Sequence, residues 1–164
     1  RQGFETTTIA QIAARAGISK GLLYNYYTSK EDLLEKIVIN SLSEAEQVMA
    51  GLITDDAAQT LENLMRYFFD ELRKKPDQWR IMTELTFRID KFRFIHDIAV
   101  QKISGYIALL ESLLQQIGMK DPRGEAKILG ALFDGIAIQF LVIRDEYPLD
   151  EMEAFMINKY CKRN

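Results

Sequence analysis

The sequence predicts an all-α fold: an N-terminal helix-turn-helix domain over residues 1–36, followed by a larger helical domain over residues 37–164. Three observations support it. Apolar residues recur three and four apart from Ile9 to Tyr160, the spacing that gives a helix one buried face. Helix-starting residues (Thr8, Ser19, Asp56, Asp121-Pro122) and helix-ending glycines (Gly17, Gly51, Gly118) bracket those stripes. Nowhere does the two-residue alternation of a strand appear.

In chain order, Ile9, Ile12, Ala13 and Ala16 mark the buried face of a short first helix, which the Thr8 hydroxyl is placed to cap. Gly17 can take the left-handed conformation that closes this helix, and Ile18 is expected to plug the turn. Ser19 caps a second helix, Lys20 to Tyr27, in which Leu23 and Tyr27 lie one turn apart and pack back onto the first. Lys20, Gly21, Leu22, Tyr24, Asn25 and Tyr26 are left on the other face. Their chemistry suits a DNA major groove. Lysine meets phosphate or guanine, asparagine bonds an adenine edge, tyrosine hydroxyls reach phosphate oxygens, and glycine lets the backbone come close. A third helix starts at Thr28 or Ser29 with Glu31 or Asp32 as its capping acid, and its first amides together with Lys30 would hold a phosphate.

Thr7-Thr8-Ile9, Ile12-Ala13, Ala16-Gly17-Ile18-Ser19-Lys20-Gly21, Leu23-Tyr24, Tyr27 and Ser29-Lys30-Glu31 resemble the N-terminal signature of the TetR (tetracycline-repressor-like) family of transcriptional regulators. The resemblance implies an all-helical homodimer that binds a palindromic operator and releases it when a small ligand enters the C-terminal domain. It also implies DNA contacts by Lys20, Tyr24 and Lys30. The expected DNA-binding set is therefore Thr8, Ser19, Lys20, Gly21, Leu22, Tyr24, Asn25, Tyr26 and Lys30. Two features depart from the family pattern: Tyr27 replaces the usual phenylalanine, and the helix that normally precedes the motif is missing from a chain opening at Arg1-Gln2-Gly3-Phe4. A truncated N-terminus is expected, with the preceding helix walling in Ile9, Ile12, Leu23 and Tyr27.

Beyond Glu31, the stripe Leu34, Ile37, Val38, Leu42, Ala45, Met49 carries the third helix into the second domain without a linker. Gly51 ends it, Thr54-Asp55-Asp56 cap the next, and the stripe Leu61, Met65, Phe68, Leu72 runs to Lys74-Lys75-Pro76. Asp77 is expected to cap a helix containing Trp79, Met82, Leu85 and Ile89, with loop or broken helix from Asp90 to Phe94. Ile103, Tyr106, Ile107, Leu110, Leu113, Leu114 and Ile117 form a long helix ended by Gly118. Asp121-Pro122 opens another, reaching about Arg144 and apolar nearly all round from Ile128, and Met152, Phe155, Met156 and Tyr160 mark the last.

The run from Ile128 to Ile143 is interrupted by Asp134 and Gln139, which reads as a buried helix rather than a membrane span. A helix apolar on all sides must be covered on more than one. Gly130, Ala131, Gly135 and Ala137 permit close helix approach, so the last two helices are expected to pair with their copies across a two-fold axis. Easier packing within one chain is the alternative.

An apolar fraction of 48% over 164 residues suffices for a packed core. The net charge is −3, but residues 1–40 hold five basic and four acidic side chains against 16 and 20 in the remainder. DNA binding must therefore rest on the motif and on dimerisation rather than on bulk charge. A lone Cys161 excludes an internal disulfide and fits a reducing, cytoplasmic setting. His96 has no companions at metal-ligand spacing, and neither a nucleophile–base pair nor a phosphate-cradling loop is present. No catalytic residue, metal or cofactor is expected. Trp79, Met82, Phe87, Tyr106, Phe133 and Phe140 are the candidate lining of an effector pocket, with Phe92, Phe94, Thr83, Thr86, His96 and Gln139 as further contacts, and they suit a small, largely apolar ligand. The expected function is a repressor released from its operator by such a ligand. The alternatives are a helical protein-interaction domain and an effector-independent DNA-binding regulator.

Overall fold

The structure, a computed structural model, describes residues 4–88 and 92–162. Among them lie α1 (Ile9–Arg15), α2 (Lys20–Tyr26), α3 (Lys30–Ala50), α4 (Ala57–Lys74), α5 (Pro76–Thr86), α6 (Arg93–Ile117), α7 (Pro122–Ile143), a 3₁₀ turn (Arg144–Glu146) and α8 (Leu149–Tyr160), with no strand. The chain divides into two compact units, Arg1–Gln47 and Val48–Asn164. This division falls later than residue 36 and lies inside α3, which runs unbroken across it.

The first unit closes on Ile9 and Ala13 of α1, Leu23 of α2 and Leu33 of α3, with Ile12 and Tyr27 packed against them. Leu33 is the core residue of the third helix here, not Leu34 alone as the stripe suggested. Ile37 faces solvent, because the helix begins at Lys30 and its phase turns Leu33 and Val38 inward. Ala16 and Ile18 are also exposed. The helix stops at Arg15, so Ala16 is its cap, and Gly17 at φ +70° swings the chain away.

The second unit is built around α4. Its Leu61, Leu64, Met65, Phe68, Phe69 and Leu72 meet Leu110, Leu113 and Leu114 of α6, Leu129, Phe133 and Ile136 of α7, and Met156, Ile157 and Tyr160 of α8. Burying side chains of this size contributes roughly 1.5–3 kcal/mol each. Ion pairs on the rim add α8 to α4: Arg73 reaches Asp150 and Glu153, and Arg66 reaches Glu62 and Glu153. Asp56 caps α4 through the amides of Ala58 and Gln59 at 2.8 and 3.1 Å. Asp121 caps α7 through Gly124 at 3.0 Å, with Pro122 in the first turn.

Several expectations are corrected. Asp77 lies inside α5, because Pro76 occupies the first helical position and needs no amide partner there. The segment expected to be loop at Phe92 to Phe94 is a buried helix cap followed by helix, and α6 therefore starts ten residues before its first recognised apolar position at Ile103. Ile89, Asp90 and Lys91 lie outside the described residues. Ile103 and Phe155 point outward. The helix Pro122–Glu146 is long enough to cross a membrane and contains an 18-residue stretch apolar enough to do so, of mean hydropathy 1.8 and 33% buried. Within the single chain the helix is therefore buried on one side only. One face (Ala126, Leu129, Phe133, Ile136, Ala137) is core, while Ile128, Ala131, Leu132, Ile138 and Val142 face outward. The small residues divide the same way: a Cβ on Gly130 would stand 2.6 Å from Ile107 Cδ1, whereas one on Gly135 would meet nothing within 4 Å.

Candidate nucleic-acid interface

The candidate reading helix, α2, is held by two local devices. The Ser19 hydroxyl accepts the Leu22 amide at 3.0 Å, and Leu23, 5% exposed, is its anchor in the core. A seven-residue helix with one anchored position presents the rest of its surface outward. Lys20, Gly21, Leu22, Tyr24, Asn25 and Tyr26 are all exposed, Tyr26 by 74%. Lys20 Nζ stands 5.6 Å from the Tyr24 ring centre, so the cation and the phenol share one patch. An open cleft of about 390 Å³ beside it is lined by Thr7, Thr8, Lys20, Tyr24, Ser29 and Lys30 among others. The structure brings Lys20, Tyr24 and Lys30 to one place.

Three members of the expected set build the unit. Thr8 begins α1 through a reciprocal cap: its hydroxyl accepts the Gln11 amide at 3.2 Å, and its own amide donates to Gln11 Oε1 at 2.7 Å. Ser19 caps α2. Lys30 differs most from expectation, since its ammonium donates to the carbonyls of Phe4 at 2.7 Å and Thr7 at 3.0 Å. Asp32 closes the turn before α3 by accepting the Thr28 amide at 2.8 Å and Thr28 hydroxyl at 3.1 Å, and that backbone bond holds its carboxyl below the usual carboxylate range. Its own amide is taken by the Ser29 hydroxyl at 3.0 Å. Gln11, Leu33 and the carbonyls around Lys30 escaped sequence reasoning. The glutamine three residues after Thr8 was a readable signal; a carbonyl carries none.

In the second unit, the candidate effector residues separate. Trp79 packs edge-on to Phe68 with ring centres 5.4 Å apart, Phe68 meets Phe133 at 4.6 Å, and Phe133 meets Tyr106 at 6.1 Å. Burial foremost, then the charge of Asp134, pushes the Tyr106 phenol up. Met82 is half-buried, and Phe140 pairs with Tyr147 at 6.4 Å. Phe87 is 75% exposed and cannot line an enclosed pocket, because α5 ends just before it. Gln139 is exposed on the outward side of α7, Thr86 bonds the Met82 carbonyl at 3.0 Å, and His96 lies on the surface beside Asp97. Among the described residues no cluster of His, Cys, Asp or Glu is arranged to hold a metal ion.

The profile of a family described as bacterial regulatory proteins, tetR family, matches residues 1–37, the stretch that forms α1, α2 and the start of α3. Over these residues the chain is similar to the N-terminal domain of the TetR family. The chain is 29% identical over 141 residues to the HTH-type transcriptional regulator BetI of Serratia proteamaculans, covering 82% of the chain and 70% of that relative. Its fold resembles that of the transcriptional regulator FadR from Bacillus subtilis in complex with stearoyl-CoA, with a TM-score of 0.75, 20% identity, and coverage of 98% of this chain and 90% of that one. A TM-score of 0.75 at 20% identity also relates it to NalD of Pseudomonas aeruginosa, the secondary repressor of a multidrug efflux pump, over 100% of this chain and 89% of NalD. The protein is a DNA-binding transcriptional regulator and not an enzyme.

Proposed function

We propose that this regulator is a repressor that binds a palindromic operator as a homodimer and leaves it when a small, largely apolar ligand occupies the second unit. The observation that carries the DNA side is the outward face of α2: Lys20, Tyr24 and Asn25 are exposed while Leu23, on the same short helix, is buried. Lys20 supplies phosphate or guanine contact, Asn25 a paired bond to an adenine edge, and the Tyr24 hydroxyl a phosphate contact. Gly21, Leu22 and Tyr26 flank them. The outward apolar face of α7, together with Phe155 of α8, supports a two-fold interface made by the last two helices of each copy. Such a dimer sets two α2 helices about 34 Å apart, one turn of duplex, or a multiple of it.

For the effector, the linked rings of Trp79, Phe68, Phe133 and Tyr106 are the best-supported site. FadR carries stearoyl-CoA, whose acyl chain is apolar, and NalD is a repressor. The ligand acts by favouring a spacing of the two α2 helices that cannot meet both half-sites. Selection of bound duplexes from a random pool tests the reading, with a palindromic winner expected. Lys20→Ala and Tyr24→Ala should each weaken binding to that duplex by about 1–3 kcal/mol while leaving the unfolding midpoint in place. Ligand and operator should weaken one another by the same factor, commonly about 5 to 150-fold. Equal ligand affinity with and without operator would exclude the release mechanism.

A further inference from the structure

We infer that Lys30 is an internal clamp of the DNA-reading unit: it fixes the segment Phe4 to Thr8 against the start of α3 and is not a DNA phosphate contact. The inference rests on the DNA-reading assignment made for α2. A lysine ammonium has three protons to donate and no acceptor. Here Nζ lies 2.7 Å from the Phe4 carbonyl, 3.0 Å from that of Thr7 and 3.5 Å from that of Glu5, and 4.2 Å from the centre of the Phe4 ring. Three oxygens and a ring face, all from four consecutive residues, surround one cation. A phosphate arriving at Lys30 must displace at least one of those carbonyls.

What the clamp positions is the residue immediately after it. Thr8 caps α1 through its mutual bonds with Gln11, and Ile9, which follows, is part of the four-residue core that grips Leu23. Lys30 therefore acts on the reading helix through Thr8 and Ile9. Lys20 differs from it in being exposed beside Tyr24. Arginine cannot replace Lys30, since a planar fork spreads its protons in a plane instead of converging on oxygens grouped about a point.

The full chain and three variants, Lys30→Met, Lys30→Arg and Lys20→Met, separate a positioning residue from a phosphate contact. Two quantities are read: amide hydrogen exchange over residues 5 to 11 without DNA, and the salt dependence of affinity for the duplex selected by the unsubstituted protein. Both Lys30 variants should speed exchange at Thr8 to Gln11 by tenfold or more. Lys30→Met should weaken DNA binding with the slope of log affinity against log salt unchanged. Lys20→Met should leave exchange alone and reduce the slope by about 0.9 for each lysine lost. A slope reduced by that amount in Lys30→Met overturns the proposal, as does unchanged exchange in both Lys30 variants. Should Lys30→Met fail to fold, Lys30→Arg alone decides through exchange. If the unsubstituted protein selects no duplex, the DNA-reading assignment fails, and exchange still decides the clamp.

Discussion

At the residue scale, two neighbouring groups at the end of α8 give the second unit an alkaline limit. Tyr160 is 2% exposed and donates to Glu125 Oε2 at 3.1 Å, and burial, then that bond and charge, pushes its phenol from 10.0 up to about 12. Burial first, then Glu62, raises the Cys161 thiol from 9.0 to about 12, with Sγ 3.9 Å from Met65 Sδ. Both groups are neutral when protonated, so the fold holds their protons more tightly than the unfolded chain does. Their contribution is whole below the ordinary values and is lost as pH rises through the raised ones. The thermal midpoint should stay level from pH 7 to 9 and fall between 9 and 12, with a shallower fall in Tyr160→Phe combined with Cys161→Ala. An equally steep fall in the double variant would refute the assignment. At pH 8 the native thiol should react with a disulfide reagent roughly a hundredfold more slowly than a model thiol. Residue types alone could announce Thr8, Ser19 and Asp121 as caps, because a cap is a local event within three residues. They could not announce Lys30 or Tyr160, whose partners lie 26 and 35 positions away.

At the element scale, helix ends were legible and helix faces less so. Gly118, at φ +88°, ends α6 where a glycine was expected to end it. Arg144, at φ +61° and ψ −123°, ends α7 with a side chain in a conformation that glycine tolerates far better. Arg144→Gly should therefore stabilise the chain by about 1 kcal/mol in denaturant unfolding, and Gly118→Ala should destabilise it by a similar amount. A loss of stability in Arg144→Gly would show that the arginine side chain matters more than its backbone. The faces of α3 and α6 were misjudged at Ile37 and Ile103 because apolar spacing reports a stripe without saying where the stripe runs out. For α7, composition gave apolar residues on every side but not which half is core. That became visible only when Gly130 was seen against Ile107 and Gly135 against open space.

At the scale of the whole molecule, the outward half of α7 becomes a test of assembly. Gly135 lies mid-stripe between Ala131, Leu132, Ile138 and Val142, and beyond its chain neighbours and the adjacent backbone of its own helix nothing among the described residues lies within 4 Å of an added Cβ. Gly135→Trp should leave the helical circular dichroism of the chain unchanged. On the proposed dimer, sedimentation should show a monomer, and operator affinity should drop on the order of a hundredfold, as two linked half-site contacts become one. A variant that still sediments as a dimer places the interface elsewhere. The fold class and the DNA-reading motif were plain in the sequence because both are patterns of spacing. The division after Gln47 was not, because an unbroken helix leaves no composition mark where one compact body gives way to another.

The seven residues of α2 carry a thermal corollary. A helix so short has no autonomous stability in water and persists only while Leu23 is gripped by its neighbours. On warming, operator recognition should vanish at a lower temperature than the helical signal of the Val48–Asn164 unit, so the regulator would go deaf to its gene before it melts. If the protein is the repressor proposed above, such an ordering makes heat itself a derepressing signal.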